Sequence, residues 1–237
     1  MTRRPGFTPE ELEPRYDVEC FTEDEWHSYS GQRTTQIITD CLELSRASSR
    51  LLLNAGAGVH QLNLPSWSEV SVDLFAAPIR RHKNPILADI ENLPFGGSEF
   101  GAVVCVGEVL GYCDPACAIA EFARVLVKGG VLICDFGNSR SLRFWSTPTY
   151  RRAADMIQDT YIGTAENVWV YDPEYIQSVL ASVGFTVRRI FGTHTWSALS
   201  RRLGASPRTA VRLQKMLDWL PQSASHADIT TIAAVRS

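Results

Sequence analysis

The fold class that the 237-residue sequence predicts is α/β: a doubly wound, mostly parallel seven-stranded sheet with helical lid insertions. Three observations lead there. Short apolar runs of the kind buried on both faces of a parallel sheet alternate along the chain with helical segments. Residues 51–74, LLLNAGAGVHQLNLPSWSEVSVDL, read as strand, glycine turn, connection and second strand ending in a carboxylate. Two long segments, 137–172 and 192–227, leave from the carboxyl ends of strands, which is where ligands bind in such sheets.

In chain order, Thr8, Pro9 and Glu11 form a capping box with proline at the first helical position, which starts a short helix. Residues 23–30 can add a turn or two, and Thr34–Arg46 sets Ile37, Ile38, Cys41, Leu42 and Leu44 at mostly helical spacing, making a helix that lies against the sheet. Strand one is Arg50–Asn54 and strand two Val70–Asp73. The segment between them contains Pro65 and is too short for a full crossover helix, so a truncated or irregular one is predicted. Strands three, four and five are Pro85–Ala88, Ala102–Val106 and Val131–Phe136. Asp114-Pro115 opens a helix ending near Leu126, with Gly129-Gly130 closing its exit. Asp172-Pro173 repeats that grammar for a helix over Glu174–Val183, stopped by Gly184. Strand six is Thr186–Phe191 and strand seven Ile229–Arg236. Within the second insertion, Pro207–Leu220 is amphipathic, with Val211, Met216, Leu217 and Leu220 opposed to Arg208, Arg212 and Lys215.

Composition bounds the function. With 45% hydrophobic and 21% charged residues the chain can bury one large core, and a net charge of −3 gives no overall attraction to nucleic acid. Of the six cysteines, Cys105 and Cys134 fall inside apolar strand runs, and Cys113 and Cys117 lack the second pair that a metal site needs. Together with the lack of a membrane-length apolar run or a secretory signal, this points to a reducing cytoplasm and to no metal.

Gly56 and Gly58 allow a sharp turn and close ligand approach. Asp73, 19 residues after Asn54, stands near the spacing at which an acidic group grips a ribose. The pair proposes an adenosine-containing cofactor, the alternative being a glycine turn used for conformation alone. A nicotinamide dinucleotide would favour a third glycine where this chain has Gln61.

Farther on come Asp89, Leu93-Pro94-Phe95 and Arg124-Val125-Leu126-Val127-Lys128-Gly129-Gly130. In this order the residues resemble the core of class I S-adenosylmethionine-dependent methyltransferases, close to the methyltransferase type 11 group, over roughly residues 50–136. The resemblance implies a Rossmann-like methyltransferase fold, S-adenosylmethionine as cofactor, and cofactor contacts from Asn54, Ala55, Gly56, Gly58, Asp73, Leu74, Asp89, Ile90 and Gly107. It also implies that Arg33 pairs with the donor's carboxylate, a solvated arginine being the alternative. Against the family's D-x-G-x-G-x-G pattern, Asn54 and His60 stand in the first and last slots. It implies one methyltransferase domain over 1–237, made of an N-terminal helical cap (1–48), a cofactor-binding core (49–136) and the two insertions, which build the acceptor pocket.

Methyl transfer to a hydroxyl or amine can use a base within hydrogen-bond reach. Glu108, directly after strand four, is the first candidate. Tyr112 and His194 follow, with His27 and Tyr29 behind them, and each has a packing role as its alternative. Trp145, Trp169 and Trp196 can wall an apolar acceptor or form the core of a lid. After strand four, Gly107-Glu108-Val109-Leu110 replaces the D/N/S-P-P-aromatic segment that receives a flipped base, which favours a small-molecule acceptor over nucleic acid. The basic set Arg188, Arg189, Arg201, Arg202, Arg208, Arg212 and Lys215 keeps an RNA-directed enzyme as an alternative, and the irregular glycine loop keeps a non-catalytic cofactor-binding subunit as another. A homodimer is left open.

Overall fold

A computed structural model describes residues 25–161, 164–218 and 224–237. The capping box at Thr8–Glu11 and the end of the amphipathic run at Leu220 lie outside them.

Seven strands form one sheet: β1 (Leu51–Ala55), β2 (Ser68–Asp73), β3 (Pro85–Leu87), β4 (Phe100–Cys105), β5 (Leu126–Gly137), β8 (Phe185–Thr193) and β9 (Ile229–Arg236). Their order is β3-β2-β1-β4-β5-β9-β8, the first five parallel and β9 antiparallel to both neighbours. The chain therefore winds outward from β1 in one direction and from β4 in the other, which opens a crevice between their carboxyl ends.

A short helix, α2 (Ala76–Ile79), follows β2. One face of the sheet is covered by α3 (Pro115–Val125) and α4 (Pro173–Ser182). Each begins with an aspartate that caps its first turn and a proline at the position where a missing N–H is harmless: Asp114 accepts from Ala116 N–H at 2.9 Å and Asp172 from Glu174 N–H at 2.8 Å. Ile119, Phe122, Ile176 and Leu180 then pack on Leu53, Val103, Leu132 and Phe136. From α3, Arg124 donates to the carbonyls of Leu93 (3.0 Å) and Phe95 (2.6 Å), while Glu121 accepts Leu93 N–H at 2.8 Å and pairs with Arg124 at 2.7 Å. The Leu-Pro-Phe segment and the arginine of the later motif are thus two halves of one clasp.

The other face is covered by α1 (Glu25–Leu42), whose Ile37, Ile38, Cys41 and Leu42 meet Leu52, Val104, Ile133 and Ala233. Just past its end, Arg46 N–H bonds the Gly129 carbonyl at the start of β5, so α1 runs against the parallel strands and carries its first turns to the carboxyl edge.

Segment 56–67 contains no helix. The Glu69 carboxylate holds it instead, accepting from Asn54 Nδ2 (2.9 Å), Leu62 N–H (3.0 Å), Asn63 N–H (3.2 Å) and Ser71 Oγ (3.1 Å). Leu62, Leu64 and Trp67 cover the sheet beside α1, where a crossover helix would have packed.

Three expectations need correction. Gly129-Gly130 do not close a helix. The helix ends at Val125, and the glycines lie inside a longer β5, where Gly129 has φ +77° and the register with β4 shifts between Phe100 and Ala102. The first insertion is a β-hairpin and not helical: a 3₁₀ turn (Leu142–Phe144) is followed by β6 (Ala154–Tyr161) and β7 (Thr164–Tyr171), paired antiparallel. Glu166, Val168 and Val170 are buried while Ala165 and Asn167 are exposed, a period of two that marks a strand. The second insertion is helical, with α5 (Thr195–Arg202) and α6 (Pro207–Leu217), but Met216 is 71% exposed and Ala210, Val211 and Gln214 form the inward face.

Gly101 marks the closest backbone approach near β4: a Cβ there would overlap the Ser49 carbonyl oxygen. Gly101→Ala is expected to destabilise the protein by about 1–3 kcal/mol, read as a lower urea midpoint at unchanged slope.

Candidate active site

Two turns flank the crevice, one after β1 and one after β4. After β1, Gly56 (φ +69°) and Gly58 (φ +52°) take left-handed conformations that residues with a Cβ adopt only under strain. The N–H groups of Gly56 and Ala57 both bond the Val72 carbonyl, at 2.8 and 3.0 Å, and a Cβ at Gly56 would meet the Val109 side chain at 2.5 Å. Nothing stands within 4 Å of where a Cβ of Gly58 would be, so this backbone is open to a ligand.

Asp73, at the end of β2, is 7% exposed and accepts Gly58 N–H on Oδ2 (2.8 Å) and Phe75 N–H on Oδ1 (3.0 Å). Burial raises its pKa, and the backbone N–H bonds and the nearby His82 oppose that rise. Each oxygen keeps a lone pair, so the carboxylate can still accept two vicinal hydroxyls. Leu74, 37% exposed, stands next to it. The Asp73 carbonyl accepts Ala88 N–H at 3.0 Å, which ties the end of β2 to Asp89, and Asp89 accepts Glu91 N–H at 2.9 Å. Ile90, 7% exposed, seals the base of this side against the core.

Asn54 lies beneath the loop, 3% exposed, and its amide donates to the His60 carbonyl (2.9 Å) as well as to Glu69. Its place is that of a loop brace under the buried end of β1 at Ala55. His60 closes a tight turn with its N–H on the Ala57 carbonyl and is exposed, so its Cβ does not obstruct the turn. Arg33 is exposed on α1, one turn before the buried Ile37.

After β4, Gly107 (φ +90°) and Glu108 (φ +60°) are both left-handed. The buried Asp135 of β5 accepts both their N–H groups, at 3.1 Å from Gly107 and 2.7 Å from Glu108. The Glu108 carboxyl reaches over Gly137, where an added Cβ would lie 3.1 Å from its Oε2. Burial, then Asp135, Asp228 and Asp159, push the Glu108 pKa well above the ordinary glutamate range, and Arg143 opposes them. Burial likewise lifts Asp135 to about 6, against the pull of the two N–H groups. Arg143 pairs with Asp159 at 2.6 Å, and Ser141 Oγ donates to Asp228 at 2.8 Å. This end of the crevice therefore gathers four carboxylates around one guanidinium. Asp135, Asp159 and Asp228 carry no local sequence signal, because they come from β5, β6 and the approach to β9.

Two base candidates find other work. Tyr112 donates to the buried Glu166 at 2.6 Å, and a Cβ at Gly111 would meet Val168 at 2.6 Å, so this turn anchors the hairpin. His194 follows β8, three strand spacings from β4, or about 14 Å. Its ring is fully buried between Ser30 Oγ on Nε2 (2.7 Å) and Ser197 Oγ on Nδ1 (2.9 Å). Tyr29 donates to Asp218 at 2.8 Å, and Gln214 joins Asp218 to the N–H groups of Trp196 and Ser197. These contacts fasten α1 to α5 and α6. His27 lies on α1, and its side chain is outside the described part. The tryptophans form no common wall: Trp145 is 60% exposed and Trp169 packs on the core.

Among the described residues no group of three or more His, Cys, Asp or Glu is arranged to hold a metal, and no helix is long and apolar enough to cross a membrane.

Residues 52–134, from β1 into β5, match the family described as methyltransferase domain. The match takes in about a third of the chain, which over that stretch is similar to methyltransferase domains. The matched stretch includes both turns of the crevice. Demethylmenaquinone methyltransferase of Mycolicibacterium paratuberculosis is 26% identical over 150 residues, a match spanning 56% of this chain and 65% of that protein's length. The fold is similar to geranyl diphosphate C-methyltransferase from Streptomyces coelicolor, solved with Mg2+, geranyl diphosphate and S-adenosyl-L-homocysteine (TM-score 0.62, 14% identity, 98% of this chain and 100% of that one). It is equally similar to the [4+2]-cyclase SpnF (TM-score 0.62, 17% identity, 98% of each chain). A fold shared with a cyclase leaves the reaction to be argued from the site.

The open backbone at Gly58 and the paired lone pairs of Asp73 fit the ribose side of S-adenosylmethionine. Asp73→Asn is expected to weaken S-adenosylmethionine binding by about 10- to 100-fold, the scale of hydrogen bonds to a charged group, in calorimetric titration of a variant that keeps its circular dichroism.

Proposed function

We propose that this protein transfers the methyl group of S-adenosylmethionine to a small organic acceptor bearing a hydroxyl or amine, with Glu108 as general base. The observation that carries the reading is the Glu108 carboxyl, held over Gly137 at the end of β4 by a turn whose backbone is fixed at both N–H groups.

The cofactor, when bound, supplies an electrophilic methyl on a sulfonium. What remains for the chain is to align the acceptor, exclude water and take a proton. As the acceptor's oxygen or nitrogen forms its bond to the methyl carbon, the carbon–sulfur bond breaks and leaves a neutral thioether. The acceptor's proton passes to Glu108. A carboxylate of ordinary acidity is a weak base toward such a group, and the environment that raises the Glu108 pKa brings it nearer to the working pH.

Charge supports an acceptor that is neutral or cationic. Glu108, Asp135, Asp159 and Asp228 outnumber the single Arg143, whose charge is already paired with Asp159. A phosphate-rich acceptor such as RNA would be repelled there. Of the basic residues in the C-terminal third, Arg189 turns back to the Asp40 carbonyl at 3.1 Å, toward the far end of α1.

Glu108→Gln is expected to lower turnover by about 10²- to 10⁴-fold while leaving S-adenosylmethionine affinity within about twofold. In wild type, turnover should rise with pH as Glu108 loses its proton, along a limb lying above the ordinary glutamate pKa, and the variant should lack that limb. The assay follows methyl-tritiated S-adenosylmethionine into a panel of small hydroxyl and amine acceptors. Full activity of the variant would reject Glu108 as base. Transfer to RNA but to no small molecule would reject the acceptor class.

A further inference from the structure

The residue after β4 adopts a conformation that its side chain disfavours. Glu108 sits at φ +60° and ψ +23°, in the left-handed region, immediately after Gly107 at φ +90°. Left to itself a glutamate would avoid this region at a cost of about 1 kcal/mol or more, so something must hold it there. The 3₁₀ turn that follows (Val109–Tyr112) does not fix the φ of Glu108, because its first bond, from Gly111 N–H at 2.8 Å, starts at the Glu108 carbonyl.

The holding group is on the neighbouring strand. Asp135 lies in β5 beside the end of β4, where Cys105 faces Cys134, and is 3% exposed. Its Oδ1 accepts Glu108 N–H and its Oδ2 accepts Gly107 N–H. Two successive amides aimed at one carboxylate is an arrangement that a flat strand cannot supply, since there successive N–H groups point to opposite sides. The left-handed turn follows from satisfying both oxygens. Two residues farther along β5, Gly137 leaves the space that the Glu108 carboxyl occupies.

We propose that Asp135 is the positioning residue of the site: by binding the N–H groups of Gly107 and Glu108 together, its carboxylate locks the turn that carries the Glu108 side chain across Gly137. This rests on the reading of Glu108 as the base. It adds that the backbone of the base is set from β5, and that Glu108 works beside a second carboxylate by construction. Asp135 itself is 3% exposed and has both carboxylate oxygens on the amides of Gly107 and Glu108. The charged groups facing Glu108 are Asp135 from β5, Asp159 from β6, Asp228 from the approach to β9 and Arg143 from the 3₁₀ turn. Removing the charge of Asp135 removes the foremost of the three repulsions.

The test needs no acceptor. Protein with 13C-labelled glutamate side chains and 15N amides, saturated with S-adenosylhomocysteine, is titrated by NMR, with Glu108 assigned by its loss in Glu108→Gln. In wild type, the amide shifts of Gly107 and Glu108 should move together with a midpoint of about 6, the value for Asp135. In Asp135→Asn those amide titrations should vanish, at least one of the two amides should exchange with solvent faster by tenfold or more, and the Glu108 midpoint should fall. Wild-type amides that ignore pH through this range would overturn the proposal, and this needs no variant to fold. A folded Asp135→Asn with an unchanged Glu108 midpoint and unchanged amide protection would overturn it as well. If instead Glu108→Gln keeps full turnover while the amides titrate as stated, the base assignment fails and the positioning by Asp135 stands.

Discussion

The loops leaving β1 and β4 diverge, and each is held by a carboxylate on the next strand outward. Asp73 of β2 takes the amides of Gly58 and Phe75, and Asp135 of β5 takes those of Gly107 and Glu108. Both carboxylates are nearly buried, so these bonds form where water does not compete, and the loops have no second low-energy path. The crevice depends on this pair of ties. Without the first, the glycine loop loses its hold on β2, and without the second Glu108 relaxes out of the left-handed region. Glu69 extends the same device under the first loop, where its four donors do the work of the absent crossover helix.

The two ends of the crevice differ in character. Around Asp73 the surroundings are backbone amides, Leu74 and Ile90, which suit a nucleoside. Around Glu108 they are carboxylates with one paired arginine, which suit a proton acceptor and a neutral or cationic partner. The insertions supply the second end: the hairpin brings Asp159 and is pinned through Tyr112 to Glu166, while α5 and α6 are fastened to α1 by the contacts of His194, Tyr29 and Gln214. Tyr112 and His194, expected as bases, thus make contacts that hold the insertions in place.

What was legible in the sequence followed from local chemistry. The Asp-Pro helix starts at 114 and 172 and the apolar strand runs act over a few residues, and they reappear at nearly the expected places. The hairpin at 154–171 was also written locally, in the alternation of Glu166, Val168 and Val170, but was hidden by polar residues on its outer face. The role of Gly129-Gly130 was not legible, since a glycine pair reads alike as a helix exit and as a bulge, and the neighbouring strand decides between them. Nor was the acidic cluster, whose members are far apart in sequence and meet only because β4, β5 and the hairpin converge. His194 stands at the carboxyl edge as the strand pattern implied, yet strand order alone puts it three positions from Glu108.

In the proposed reading, the crevice between β1 and β4 holds the methyl donor with its ribose on Asp73 and its sulfur end toward Glu108. A crystal structure of the protein with S-adenosylhomocysteine tests it most directly. Both ribose hydroxyls are expected within hydrogen-bond distance of the Asp73 carboxylate, with the sulfur on the Glu108 side of Gly58. A nucleoside bound elsewhere, or bound here with its ribose turned away from Asp73, would contradict it.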